Sequence, residues 1–440
     1  MKFTDTRLEN GLRVIIAEDH YAPVYAISVS YGVGSKDERK GRTGFAHLFE
    51  HMMFKGSEKV GPGEHFFLTF NYGGSMNGTT DADRTLYFEI LPKNQLDLGL
   101  FLEADRMRSL AITKENLENQ RQAVKEERRM GLDNQPYGRT FERADELIYD
   151  NFAYKHSVIG SMEDLDAATV DDVKEFFRIY YAPNNAVLAL VGDLDTKETL
   201  AKVKQYFGSI PRQEQPKPVD LTEPPSKAER REKLDDKLAR APLLLMAYRI
   251  PPAKSDDTAA LLGLANLFGG GPSSRLYQKL VKEKEVCAQV FANTATRIGT
   301  GQFRIMCLVR PGKTLEEAEA LISEEVAKLH SAPVSEAELK RMHTSVRRTH
   351  IGIRTSVLTR ANWLADTAVM HNDPNMINSN LEKALAVTAA DIQRVAKAHL
   401  RTDNRIVLHT SPAQGGPQLA GPPPAPGAKP PATQPKPAAQ

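Results

Sequence analysis

The chain repeats itself. Thr169-Val170-Asp171-Asp172-Val173 matches Thr388-Ala389-Ala390-Asp391-Ile392 at an offset of 219 residues. At that offset Asn185 falls on Asn404, each just ahead of an apolar strand-like run. Phe54 falls on Phe268 at an offset of 214, each closing a helix-like run shortly before glycine. Self-similarity over this distance means one module built twice, and 440 residues exceed what a single core supports. Residues 209–226 carry five prolines and many charges, the composition of a linker. The expected organisation is a first domain over 1–208, a linker over 209–227 and a second domain over 228–411. Residues 412–440, with Gly421-Pro422-Pro423-Pro424, form a Pro/Ala-rich tail that cannot bury a core and is expected to be disordered.

Alternating apolar and polar residues over 7–17 and 23–31 predict a strand pair, and Thr79 to Leu91 predicts another strand closed by Pro92. Short helical spacing covers 66–70 and longer spacing covers 96–108. Between the first of these and the strand, Tyr72 to Gly78 is a turn-forming cluster. A polar helix over 114–130 starts from Thr113 as N-cap, and another opens at Thr169 and ends near Tyr181. Asn185 to Val191 reads as a buried strand.

The run from Gly44 to Phe54 has neither Pro nor Gly after its first residue and predicts a helix. It puts His47 and His51 one turn apart on one face, with Glu50 beside them. Two imidazoles and a carboxylate so placed are the parts of a catalytic zinc site, nitrogen ligands for the ion and a base for its water. Leu48, Phe49, Met52, Met53 and Phe54 surround them, so the helix is largely buried, and buried imidazoles need partners that a metal would supply. At the 214 offset His47, Glu50 and His51 fall on Leu261, Leu264 and Ala265, so the duplicated scaffold has one live site. Tetrahedral zinc still lacks one protein ligand, with water in the fourth position. The 114–130 helix offers Glu126 and Glu127, which diverge by about 100°, so only one can face the ion.

Fifty-eight basic against 56 acidic residues leave a net charge of +2, which provides no global field for nucleic acid or an anionic membrane. No uncharged apolar run reaches the ~18 residues of a transmembrane span. Met1-Lys2-Phe3-Thr4 leads straight into a strand without a secretory apolar segment, which reads as cytoplasmic, or as periplasmic if a signal was removed ahead of Met1. Cys287 and Cys307, outside any metal-ligand spacing, provide no disulfide framework and are expected to be small buried apolar residues.

The order H-x-x-E-H, reversing the commoner H-E-x-x-H, with Glu127 further along, resembles the pitrilysin/insulinase (inverzincin) family of zinc peptidases. The likeness is to its small-subunit branch, which includes mitochondrial processing peptidase. It spans residues 5–411 through Gly34-Ser35-Lys36-Asp37-Glu38, Gly73 to Thr80, Tyr181-Ala182-Pro183-Asn184-Asn185 and Gly192-Asp193. The resemblance selects Glu127 as third ligand, Glu50 as general base and Zn2+ as the cofactor, one per chain, with Mn2+ or Co2+ fitting nearly as well. It implies an α+β fold of two similar domains, each a mostly antiparallel sheet with helices on one face. It also implies that a peptide substrate pairs with an edge strand at Asn77-Gly78-Thr79. Gln120 stands where relatives often carry an acidic residue supporting the site. Val281 and Ala288 stand where relatives that have the motif carry an Arg and a Tyr that hold substrate. A homologous subunit without zinc, supplying that Arg/Tyr pair in a heterodimer, is therefore the expected partner. The competing reading is a non-catalytic core-like subunit of a larger complex, and such subunits have damaged ligand sets.

Overall fold

The computed structural model describes residues 1–413, and its eleven strands form two sheets. The first contains β1 (Thr4–Arg7), β2 (Arg13–Glu18), β3 (Val24–Tyr31), β4 (Ser75–Thr80), β5 (Thr85–Pro92) and β6 (Ala186–Gly192), in spatial order β1-β2-β6-β3-β5-β4. The second contains β7 (Arg230–Asp236), β8 (Leu243–Ile250), β9 (Cys287–Ala295), β10 (Gly301–Val309) and β11 (Arg405–Pro412), in order β7-β11-β8-β10-β9. Each has one parallel pair, β2 with β6 and β7 with β11, and is otherwise antiparallel.

The duplication extends to single hydrogen bonds. Thr169 and Thr388 both cap their helices with a reciprocal aspartate three residues on. Asn185 Nδ2 donates to the Tyr180 carbonyl at 2.8 Å, and Asn404 Nδ2 donates to the His399 carbonyl at 2.8 Å. The expected pairing of the first two long strands is corrected: β6 lies between β2 and β3, with Ile15 opposite Ala189 and Ile27 opposite Leu190. Its sequence AVLALVG is buried throughout, and an apolar run covered on both faces belongs at the centre of a sheet.

The first half contributes α1 (Phe45–Met52), α2 (Glu64–Asn71), α3 (Leu96–Ser109), α4 (Lys114–Arg128), α5 (Gly138–Ile148), α6 (Phe152–Lys155), α7 (Met162–Asp166), α8 (Val170–Tyr180) and α9 (Thr196–Phe207). The second contributes α10 (Thr258–Gly269), α11 (Leu315–Ser331), α12 (Glu336–Thr355), α13 (Val357–His371), α14 (Met376–Leu385) and α15 (Ala389–His399). Helices α1, α3, α8 and α9 share the core on one face of the first sheet, and α10, α11 and α15 do the same for the second.

The remaining faces are covered by exchange. Ala361, Leu364, Ala365 and Ala368 of α13 pack on Ile15, Ala26, Val187 and Ala189 of the first sheet. Ser28 and Ser30 hydroxyls donate to Asn362 and Asp366 at 2.5 and 3.0 Å across that contact. In return, Ala144 and Ile148 of α5 pack on Leu245, Ala247, Ile406 and Leu408 of the second sheet. The connector also grips both halves: Glu223 accepts the N–H groups of Asp150 and Asn151, and the Pro224 carbonyl accepts from Arg249.

One expectation fails outright. Cys287 and Cys307 are fully buried, but they are joined in a disulfide with Cα atoms 6.1 Å apart. A spacing of 20 residues carries no signature by itself; the β9–β10 hairpin, irregular between Leu308 and Val309, makes the two sulfurs neighbours. The tail expected to be disordered lies outside the described residues from 414 onward, and Pro412 closes β11. No helix among the described residues is long and apolar enough to cross a membrane.

Candidate active site

Helix α1 begins at Gly44, whose φ of +83° is left-handed and whose added Cβ would lie 2.6 Å from the Ile159 carbonyl oxygen. The first turn has no side-chain cap of its own. Instead, the buried Glu38 carboxylate accepts the N–H groups of Gly44 and Ala46 at 2.9 and 2.8 Å, and His156 Nε2 bonds the oxygen that meets Gly44 at 2.9 Å. Phe49 anchors the inner face of α1 against Tyr181, ring centroids 4.1 Å apart. His47 and His51 are left on the face turned to α4, their rings 4.8 Å apart.

Helix α4 is fixed by its N-cap Thr113 and by outward ties. Lys125 Nζ bonds both Asp166 oxygens at 2.7 Å, and Arg128 reaches Glu142 and the Gly160 carbonyl. These ties settle which glutamate turns inward. Glu126 pairs with Arg129 at 3.0 Å on the outer face. Glu127 Oε2 lies 3.6 Å from His47 Nε2 and 3.3 Å from His51 Nε2. Tetrahedral zinc with ligands at about 2.0–2.1 Å has ligand–ligand edges of about 3.3–3.4 Å, so this donor set has the right size and chemistry for the ion. Burial, then the neighbouring imidazole, lowers His47 to about 4. Burial also lowers His51 against the pull of Glu127. Both rings are therefore neutral near pH 7, the form that binds metal. Gln120 is buried on α4, and its Nε2 donates to Asn119 Oδ1 at 2.5 Å.

Glu50 lies on the same cleft, and its Oε2 accepts the Thr80 hydroxyl at 2.6 Å. Burial raises its carboxyl to about 7, with the Glu127 charge adding and Thr80 opposing, the range a general base needs. Gly78 makes room for it: a Cβ there would stand 3.0 Å from Glu50 Cγ and Oε1. Asn77, Gly78 and Thr79 lie on β4, an edge strand that among the described residues pairs only with β5. Asn77 Oδ1 accepts from the Gly78 N–H, and Thr79 accepts from Arg84. Sequence reasoning missed Thr80, although the two-residue period of a strand puts it on the same face as Gly78.

In the second half Leu261, Leu264 and Ala265 are buried core residues on α10. Val281 is buried in a π-helical segment and Ala288 is exposed on β9, so neither provides a polar group. A second set of ligand-type side chains, His65, Glu89 and Glu103, is fully buried behind the site. There the Arg106 guanidinium bonds Glu103 and lies over the Tyr87 ring at 4.5 Å, filling the role a cation would have. That group is a charge-compensated core network.

Comparison with known proteins bears on the family. Residues 13–160 match the insulinase (peptidase family M16) domain, and residues 167–346 match the peptidase M16 inactive domain. The chain is 29% identical over 418 residues to the zinc protease PqqE of Helicobacter pylori, covering 93% of each. It is 28% identical to an uncharacterized zinc protease of Mycobacterium leprae, over 78% of this chain and 77% of that one. The crystal structure of a protease from Helicobacter pylori superposes with a TM-score of 0.90 at 28% identity, covering 93% of this chain and all of that one. The first half of the periplasmic protease PqqL from Escherichia coli shares the fold, with a TM-score of 0.76 at 19% identity over 93% of this chain and 92% of that one. Two matched domains in tandem, an H-x-x-E-H helix and a full-length likeness to zinc proteases have one explanation: this chain belongs to the pitrilysin/insulinase family of peptidases, family M16.

Proposed function

We propose that the chain is the zinc-dependent catalytic subunit of an endopeptidase acting on peptides or unfolded polypeptide segments. The observation that carries this reading is the placing of Glu127 Oε2 at 3.6 and 3.3 Å from the His47 and His51 Nε2 atoms, close to a tetrahedral edge, with Glu50 in the same cleft. His47, His51 and Glu127 would hold one Zn2+, which when bound polarises the scissile carbonyl and acidifies the attacking water. Glu50 takes the proton of that water and returns it to the departing amine, while Thr80 holds its carboxylate in place. The β4 edge at Asn77-Gly78-Thr79 pairs with the substrate backbone, and Gly78 keeps that strand close to Glu50.

Val281 and Ala288 support a second, homologous subunit as the source of the Arg/Tyr pair, since nothing polar stands at either position. The Cys287–Cys307 bond supports an oxidising compartment such as the periplasm. The intact donor set argues against a non-catalytic core-like role. The test compares wild type and Glu50→Gln on a fluorogenic peptide, each alone and mixed with a homologue bearing the Arg/Tyr pair. Glu50→Gln should retain one zinc per chain and lose activity by roughly a hundredfold or more; undiminished hydrolysis would remove Glu50 as the base.

A further inference from the structure

The half without metal ligands contains a cavity of about 510 Å3 between α10 and α12, a size suited to a small ligand. Its wall is basic. Lys340, Arg341 and Arg348 line it, all exposed, and none forms an ion pair among the described residues. Arg341 and Arg348 are seven residues apart, two turns of α12, and so share one helix face. The sole acid in the wall, Glu338, is already satisfied. Arg275 bonds both its oxygens at 2.9 Å, and the Ser335 N–H donates to it at 2.9 Å. Three cations thus face the cavity with no free carboxylate to answer them.

Ser274, just past the Gly269-Gly270-Gly271-Pro272 turn, lines the cavity at only 5% exposure, and its Oγ has no hydrogen-bond partner. That oxygen is closed off from solvent, so the side chains that can meet a ligand are the cations of α12.

We propose that this cavity is an oxyanion site, binding a carboxylate or phosphate group. Arg341 and Arg348 supply the charge and paired N–H donors that such groups accept. The site is separate from the His47–His51–Glu127 centre and does not depend on the activity proposed for it.

The test is isothermal titration of the full chain with inorganic pyrophosphate and, separately, with a tetraglutamate peptide. At least one probe should bind with one-to-one stoichiometry. Binding of pyrophosphate alone identifies a phosphate compound as the ligand class, and binding of tetraglutamate identifies a peptide carboxylate. Arg341→Ala and Arg348→Ala should each weaken the binding about tenfold. Arg347→Ala removes the same charge from α12 outside the cavity wall and should leave binding unchanged. The proposal is overturned if neither probe binds, if the Arg341→Ala/Arg348→Ala double variant binds like wild type, or if Arg347→Ala is as damaging as either cavity arginine.

Discussion

Replacing Glu127 by Gln, with Glu126→Gln as its neighbour control, tests the metal centre at its most exposed point. Glu127 is half exposed, and its carboxylate pairs with the two imidazoles, so the apo chain should keep its stability within about 0.5 kcal/mol. The consequence for metal is large. Four-ligand zinc sites bind with roughly 10–16 kcal/mol, or about 2.5–4 kcal/mol per ligand. Losing one of three protein ligands therefore weakens zinc about a hundredfold to a thousandfold. An amide oxygen retains some donor strength and places Glu127→Gln at the lower end, with Glu127→Ala at the upper. Glu126, turned outward onto Arg129, should show no effect. Competition against a chromophoric chelator reads the affinity directly. Thermal unfolding at a zinc concentration of about a hundred wild-type Kd should show about 2.7 kcal/mol of stabilisation in wild type and little in Glu127→Gln. Equal zinc affinity in Glu127→Gln and wild type, or equal losses at 126 and 127, would refute the geometry argued for α1 and α4.

Two further outcomes follow from the second half. Reducing Cys287–Cys307 opens a loop of 20 residues and should cost about 3 kcal/mol by chain entropy. Urea unfolding with and without reductant measures this, and an unchanged midpoint would mean the thiols are not joined. Arg231, followed by His409, holds the Glu319 carboxyl down to about 2, tying α11 to β7 and β11. A depressed carboxyl stabilises fully above its unfolded value near 4.5 and loses that contribution as pH falls from there toward 2. Glu319→Gln should flatten the acid side of the urea midpoint between pH 6 and 3, and an identical slope in the variant would show that the pair contributes nothing.

Local pattern made the centre of the site legible. His47, Glu50 and His51 share a helix face because four residues make about one turn, and no tertiary information enters. Glu127 was readable only as one of two, since a helix presents adjacent residues to different sides; the Lys125 and Arg128 ties that choose between them depend on α7 and α5. The copies were legible because capping boxes and strand-entry asparagines leave the same short signature wherever they recur. The place of β6 was not, because a strand from residue 186 onward separates two that lie next to each other in sequence. The disulfide was hidden for a related reason: which residues of a hairpin face each other depends on its register and bulges, and the cysteine spacing encodes neither.

The crossing of α5 and α13 makes each sheet the custodian of the other's lid. A break in the polypeptide between residues 209 and 229 would leave two fragments, each with a bare apolar surface shaped for a helix carried by its sibling. Separately they would be sticky and poorly soluble; together they would reassemble. The ancestral doubling of this module is in that sense irreversible, because neither copy still encodes everything needed to cover itself.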